Sequence, residues 1–255
     1  EYVATGHYAR VDRTHEPPAL LRALDARKDQ SYFLHMLPPE MLARLIFPLG
    51  DASKEQVRQQ AQELELPGAG KGESQELCFV PSGRYDEFVS RRAPERVRPG
   101  RIVDEAGRTL GAHNGIHRFT LGQRKNLGVA TGQRSYVVGV DPESHDVQLG
   151  PRERLLASGA RVPEATLAPD VRLPLRCQVA VRYRGTPVSA HVSRWGERGL
   201  ELRFAEPVQA VVPGQYAVLY QEQRVLGGGA IAAAVPLATA HSAGDPREPG
   251  RELGL

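Results

Sequence analysis

The stretch LRCQVAVRYRG, residues 175–185, alternates between two kinds of side chain. One set is mostly apolar and the other mostly polar: Leu175, Cys177, Val179, Val181 and Tyr183 against Arg176, Gln178, Ala180, Arg182 and Arg184. Because successive side chains of a strand point to opposite faces, this pattern predicts a β-strand with one buried face. The arginine-bearing face is expected to meet solvent or a ligand.

Similar segments follow this strand toward the C-terminus. They are VSAHVSRW, GLELRFAE, QYAVLYQ and RVLGGGAIA, separated by Gly- and Pro-containing turns. Strand-length segments at this spacing are typical of a small barrel, so residues 153–234 are predicted to form a β-barrel. The glycines 227–229 are not followed by a helix pattern, which indicates a bulge or a close backbone contact. Residues 235–255 lack periodicity and are expected to be a disordered tail.

The N-terminal part of the chain has a mixed pattern. Alternation within residues 1–25 predicts a hairpin, and KDQSYFLHML, PPEMLARLIF, SKEQVRQQAQELEL and GRYDEFVSRR predict helices. Asp29 is placed to cap the first helix, and Ser53 with Gln56 matches a capping box. Proline- and arginine-rich APERVRPG suggests a boundary, which gives units at 1–92 and 93–152. The second unit is predicted as mixed α+β, with short strands around the basic segment FTLGQRKNLG.

Composition restricts the function classes. The 33 basic residues include four lysines, and the net charge is +3 with a pI near 9.0. Arginine suits phosphate binding, although the same bias arises from a G+C-rich genome. No apolar run approaches the ~20 residues of a membrane span, and no secretory signal is found. With two distant cysteines and no Cys/His cluster, we expect a reducing cytoplasm and no metal site.

The two cysteines have different surroundings. Cys177 is in phase with the buried face of its strand and is expected to be structural. Cys78 follows the polar loop GKGESQE, where it is either a packed strand residue or an accessible thiol. Two further stretches, ARKDQSYFL and TLGQRKNLG, each set a basic residue beside glutamine. Such a mixture could grip phosphates while an amide reads a base edge, or it could be a solvated helix start.

Seven motifs in order then suggest a family: ATGHYAR, LDARKDQSYFL, SQELCFV, TLGQRKNLG, VRYRG, VVPGQYAVLY and LGGGAI. Together they resemble the bacterial tRNA-specific 2-thiouridylase family, from residue 1 to about residue 233. The resemblance implies an α/β pyrophosphatase (PP-loop) domain that binds nucleotide, a central tRNA-binding domain and a C-terminal β-barrel. Asn126 departs from the glycine usual in the family, although asparagine tolerates positive φ well.

The resemblance also implies the site residues. Cys78 would carry sulfur as a persulfide behind a mobile loop at 72–75, and Gly6 would contact ATP through its backbone. Contacts to tRNA would come from His7, Lys28, Asp29, Gln30, Arg182, Tyr183 and Gln215. The implied cofactors are ATP, with Mg²⁺, and a persulfide donor. The implied partners are tRNA and a sulfur-relay protein or cysteine desulfurase, with a cytoplasmic monomer as the expected state.

The family's pyrophosphatase loop and first active-site cysteine precede the ATGHY motif. The chain is therefore expected to be an N-terminally truncated tRNA-uridine 2-sulfurtransferase, inactive alone. In the complete enzyme the first cysteine would resolve the persulfide by forming a disulfide with Cys78. Two alternatives stay open: a tRNA-binding module without catalysis, and a thiol hydrolase built on Cys78 and a histidine distant in sequence.

Overall fold

The computed structural model describes residues 1–14, 16–67, 69 and 85–237. The cysteine predicted to be reactive, Cys78, lies outside these residues, as do the loop before it and the chain beyond residue 237. No helix within the described ranges is long and apolar enough to cross a membrane. No group of three or more His, Cys, Asp or Glu side chains in those ranges is arranged to hold a metal ion.

The N-terminal unit combines short strands with helices. Its elements are β1 Val3–Ala4, β2 Ala9–Asp12, β3 Ala19–Arg22, α1 Ser31–Leu34, α2 Pro39–Leu42, β4 Leu45–Ile46, α3 Lys54–Glu63 and α4 Tyr85–Arg92. Strands β2 and β3 pair antiparallel, which confirms the predicted hairpin. Ser53 and Gln56 form the predicted capping box at the start of α3.

The first two predicted helices are wrong in length. Helix α1 covers one turn of KDQSYFLHML, and PPEMLARLIF changes from helix α2 to strand β4. The reason is a long-range pairing, since β4 runs parallel to β1 with Val3 opposite Leu45. The Val3 amide donates to the Arg44 carbonyl at 2.9 Å, so backbone groups at residue 44 and beyond are used between strands rather than within a helix.

The central unit is a sheet of short strands. Its elements are β5 Gly100–Val103, β6 Thr109–His113, β7 Tyr136–Val140 and β8 Val147–Gly150, in the order β6-β5-β8-β7. The predicted α+β character is wrong here, because the segments between these strands contain only a 3-10 turn at Ile116–Arg118. FTLGQRKNLG forms an irregular loop, in which Asn126 has a φ of +58°. Asparagine is thus placed in a conformation that it tolerates better than most residues.

The C-terminal unit contributes most of a larger sheet. Its elements are β9 Leu156–Val162, β10 Thr166–Leu167, β11 Leu175–Ala180, β12 Val188–Trp195, β13 Gly199–Gln209, β14 Tyr216–Gln221, β15 Arg224–Ala230 and β16 Ala233–Pro236. The order is β16-β9-β13-β12-β11-β14-β15-β3-β2, with β10 also on β15. The disordered tail predicted from residue 235 is wrong at its start, because Val235 and Pro236 belong to strand β16 and pair with β9.

The N-terminal hairpin therefore continues the sheet of the C-terminal unit. Arg224 of β15 is paired with Leu21 of β3. One apolar core fills the inside of the sheet, where Val179 is fully buried and Cys177 packs at its margin. A second core lies on the outer side, where Ala180 and Val218 pack with Leu20 and other residues of the N-terminal unit. The outer face of β11 is thus partly covered and not entirely open as predicted.

Gly227 is a site of close backbone approach, as its sequence context predicts. It pairs with Leu167 of β10 and has a φ of +129°. A Cβ atom at this position would lie 2.0 Å from the Thr166 carbonyl oxygen. Only glycine fits this position without moving β10 away from β15.

Candidate nucleic-acid interface

An open cleft of about 600 Å³ lies between the N-terminal unit and the C-terminal sheet. Among the residues predicted to contact tRNA, Lys28 and Asp29 line it from one side, and Arg182 and Tyr183 line it from the other. The two pairs are about 150 positions apart in the sequence. The structure therefore brings together, in one place, residues that were selected from separate motifs.

The loop that carries Lys28 is fixed by a buried carboxylate. Asp25 accepts hydrogen bonds from the amides of Arg27 at 3.0 Å and Lys54 at 3.1 Å. Its own carbonyl accepts the amide of Lys28 at 3.0 Å. The Lys54 amide is the main reason that the pKa of Asp25 lies below its usual value. Lys28 therefore lies in a hydrogen-bonded turn, which Asp25 anchors to the first residue of α3.

Asp29 has a structural role. Its carboxylate accepts the amide of Ala23 at 3.0 Å, and the amide and hydroxyl of Ser31 at 3.1 and 2.9 Å. The residue at the formal cap position of α1 is Gln30, but the first-turn amide of Ser31 is satisfied by Asp29. Asp29 thus joins β3 to α1. A contact between its side chain and tRNA stays a prediction.

The opposite wall of the cleft follows β11, which ends at Ala180 instead of continuing through Tyr183 as predicted. The Tyr183 ring lies 4.4 Å from the Phe33 ring, centroid to centroid, and 6.0 Å from the Tyr32 ring. The Arg184 guanidinium lies 5.3 Å from the centre of the Tyr183 ring. These aromatic contacts with α1 hold the arginines at residues 182 and 184 beside the cleft.

The lining of the cleft is rich in positive charge. Its charged residues are Arg22, Arg27, Lys28, Arg182 and Arg184, with Asp29 as the carboxylate. Arg27 pairs with Glu55 at 2.9 Å, and Asp29 is already satisfied by backbone and hydroxyl donors. Such a cleft attracts phosphate groups.

Arg22 and Tyr220 are residues of the cleft that the sequence reasoning missed. The Arg22 guanidinium stacks 3.7 Å above the Tyr220 ring, and its Nε atom is buried without a hydrogen-bond partner in the described part of the chain. Burial raises the pKa of Tyr220 to about 12, so its hydroxyl stays protonated at neutral pH. Only the pairing of β3 with β15 places these two residues together, and no local pattern signals that pairing.

Both glutamines beside the basic residues are used within their own loops. The Gln30 Oε1 atom accepts the Tyr8 amide at 2.9 Å. The Gln123 Oε1 atom accepts the Thr120 amide, and its Nε2 atom donates to the Lys125 carbonyl, each at 3.0 Å. These hydrogen bonds orient the two side-chain amides within their own loops, and a contact between either glutamine and a base stays a prediction.

Three family models match successive parts of the chain. They are described as a tRNA methyl transferase HUP domain at residues 1–82, a tRNA methyl transferase PRC-barrel domain at 86–151 and an aminomethyltransferase beta-barrel domain at 161–231. Their order agrees with the three units of the fold.

Curated relatives cover the same residues. A protein of Sorangium cellulosum named tRNA-specific 2-thiouridylase MnmA is 51% identical over 239 residues, which are 92% of this chain and 62% of the relative. The chain is thus homologous to the tRNA-specific 2-thiouridylases along most of its length. Proteins of the same name from Natranaerobius thermophilus and Chloroflexus aggregans are 40% and 45% identical, over 91% and 90% of this chain. The chain spans 64% and 65% of their lengths.

Three further positions that the resemblance names, Gly6, His7 and Gln215, do not line this cleft. Gly6 is exposed, and a Cβ atom there would meet only Leu49, at 3.9 Å. The fold itself therefore does not require glycine at residue 6, so a requirement would come from a bound ligand. The His7 Nδ1 atom lies 3.0 Å from the Thr5 hydroxyl oxygen. Gln215 is exposed at the start of β14, at the same end of the β11–β14 pair as Arg182.

Cys177 is a packed residue, as predicted. It lies at the margin of the inner core, and burial raises the pKa of its thiol to about 11. A thiol with this pKa is almost entirely protonated at neutral pH and is a poor nucleophile. Cys78, the other cysteine of the sequence, lies outside the described residues.

A second basic cleft belongs to the central unit. It encloses about 580 Å³ and is lined by the loop from Arg124 to Ser135, including Arg134. This loop begins within the TLGQRKNLG motif, whose Gln123 holds the preceding turn as described above. Arg124 and Arg134 therefore form a further positively charged surface of the same chain.

Proposed function

We propose that this chain is the part of an enzyme that binds tRNA and carries the sulfur, and that the enzyme thiolates a uridine of tRNA at C2. The observation that carries the proposal is the cationic cleft in which Lys28 meets Arg182 and Tyr183. Phosphate-binding groups and an aromatic ring lie side by side there, which is the combination that single-stranded RNA requires. The relatives' name supplies the reaction, and the cleft supplies a physical reason for RNA as the substrate.

Under this proposal the N-terminal unit is the end of a nucleotide-binding α/β domain. ATP, when bound, would convert the uridine C2 oxygen into a leaving group. The exposed, unobstructed backbone at Gly6 fits an approach by this nucleotide, and His7 beside it would face the tRNA. Asp25 and Asp29 hold the loop of Lys28 in place, so that the phosphates of the anticodon strand meet a preformed site.

Cys78 is proposed to bring the sulfur as a persulfide received from a relay protein or cysteine desulfurase. Its terminal sulfur forms the C–S bond at C2, and the bond from C2 to the adenylated oxygen breaks, releasing AMP. A second thiol then attacks Cys78 Sγ, so that the bond to the transferred sulfur breaks and a disulfide forms. Cys177 is unsuited to this second role, because it is packed against the inner core and its pKa is raised to about 11.

It follows that a resolving thiol would have to come from outside these 255 residues. The chain alone is therefore proposed to bind tRNA without thiolating it. We also propose that it is a monomer in the cytoplasm. A thiolation assay with ATP, a persulfide donor and a tRNA transcript tests this point. Formation of 2-thiouridine by the isolated chain would contradict it.

RNA binding is tested with Arg182→Ala. Loss of one phosphate contact should weaken binding of a tRNA transcript and lower the slope of log K against log salt by about 0.7–0.9. Arg194→Ala removes an exposed arginine of β12 that does not line the cleft, and serves as the control. Equal slopes for the two variants would count against the cleft as the RNA site.

Persulfide loading separates the enzyme from a tRNA-binding module. After incubation with a persulfide donor, mass spectrometry should find the added sulfur on Cys78 and not on Cys177. A Cys78→Ser variant should take up none while binding tRNA normally. Equal loading of both cysteines, or of neither, would favour the module without catalysis.

A further inference from the structure

A row of basic side chains crosses three strands on the outer face of the C-terminal sheet. Arg176 of β11 is paired with His191 of β12, and His191 is paired with Arg203 of β13. All three side chains are exposed, and all three line a third cleft, of about 710 Å³. This cleft is distinct from the one that contains Lys28.

The row does not stabilise the sheet by itself. Arg176 and Arg203 are two strand steps apart on the same face, roughly 10 Å, so their positive charges repel weakly. Glu201 offsets part of the charge, because its carboxylate lies 3.2 Å from Arg203 and 3.7 Å from Arg161. Glu222 lines the same cleft from β14's end. No ion pair of the Arg176 or His191 side chain is found among the described residues, so both are accessible to an anion.

The row is continuous with the candidate RNA site. Tyr220 lines both clefts, and Gln178 of β11 is paired with it. The Gln178 Nε2 atom donates to the Ser189 hydroxyl at 2.9 Å, and both side chains line the larger cleft next to Tyr220. From β3 with Arg22 to β13 with Arg203 there are five strand steps, or roughly 24 Å at about 4.8 Å per step.

We propose that this row, defined by Arg176, His191 and Arg203, binds a second stretch of the phosphate backbone of the RNA held in the first cleft. The inference rests on the proposed function. RNA is favoured over an acidic protein because the row extends a surface of the same sign across Tyr220. The arginines of the row, and Gln178 and Ser189 beside them, are also side chains of the types that contact phosphate and sugar. The row would add affinity and orientation and no base specificity.

The test is the double variant Arg176→Gln/Arg203→Gln in the full 255-residue chain. Binding of an unmodified tRNA transcript is measured over a series of salt concentrations. Two lost phosphate contacts should lower the slope of log K against log salt by roughly 1.4–1.8. The matched control, Arg194→Gln/Arg198→Gln, changes the net charge equally outside both clefts and should leave the slope unchanged.

Arg176→Gln alone provides a variant that keeps the Arg203–Glu201 ion pair, in case the double variant unfolds. It should lower the slope by about half as much. The inference is overturned if the double variant binds tRNA with the wild-type slope while Arg182→Ala weakens binding; the proposed function then stands. If the wild-type chain does not bind tRNA, both fall. Loss of poly-glutamate binding without any change for tRNA would assign the row to an acidic protein and overturn the inference.

Discussion

The hydroxyl of Tyr32 joins the N-terminal unit to the C-terminal sheet, and its removal is a direct test of that junction. The Tyr32 Oη atom donates to the Tyr216 carbonyl at 2.9 Å and accepts the Tyr216 amide at 3.2 Å. Tyr32 is only 5% exposed. Tyr32→Phe keeps the ring and removes the hydroxyl, so that both backbone groups of Tyr216 lose their partner.

The expected loss of stability follows from these two bonds. A buried polar group left unsatisfied costs about 1–3 kcal/mol. Tyr216 is half-buried, so water can partly replace the lost partner, and we expect a decrease of about 2 kcal/mol in the free energy of unfolding. An unfolding entropy of about 2.1 cal/mol/K per residue gives about 0.5 kcal/mol/K for this chain, hence a fall in Tm of about 4 °C.

Thermal unfolding followed by circular dichroism measures this change. Tyr2→Phe is the matched control, because the Tyr2 side chain is 64% exposed and should lose almost no stability. A fall in Tm for Tyr32→Phe that is no larger than for Tyr2→Phe would refute the reasoning. It would mean that the hydroxyl does not hold the two units together.

Two further predictions concern the backbone and the cysteines. Gly227→Ala should cost about 3 kcal/mol or more, because the new Cβ would lie 2.0 Å from the Thr166 carbonyl. Gly214→Ala, with a φ of +86° but no atom within 4 Å, should cost only about 1–2 kcal/mol in the same unfolding experiment. With its pKa near 11, Cys177 should be alkylated roughly 300-fold more slowly at about pH 7.5 than an ordinary thiol at Cys78. Because this pKa is raised, the stability contributed by the protonated thiol is complete below about pH 8.5 and is lost as the pH approaches 11. Equal alkylation rates would contradict the raised pKa of Cys177.

Much of the C-terminal sheet could be predicted because its signals are local. Alternation in LRCQVAVRYRG gave the burial of Val179 and the packing of Cys177, and both are confirmed. The hairpin, the capping box at Ser53 and the close approach at Gly227 likewise depend on a few neighbouring residues. Each of these patterns is decided by sterics or hydrogen bonds within a short stretch.

The failures arise where a distant partner takes over. PPEMLARLIF gives up its last turn of helix to pair with β1, and Ala180 is covered by residues from the other end of the chain. The role of Gln123 is predicted from the residue types around it, which do not show that its amide is hydrogen-bonded to Thr120 and Lys125. The cleft shows the same limit, because Arg22 contributes to it only through the pairing of β3 with β15.

That pairing also has a consequence for synthesis. Leu21 and Arg224 are joined in one sheet although about 200 positions separate them. At about 5–20 residues per second, the hairpin waits roughly 10–40 s after it leaves the ribosome before its neighbouring strand exists. During this interval β3 presents an open edge and Leu20 lacks its partners on β14 and β15. The nascent chain is therefore expected to be open to edge-to-edge aggregation until its barrel has been translated.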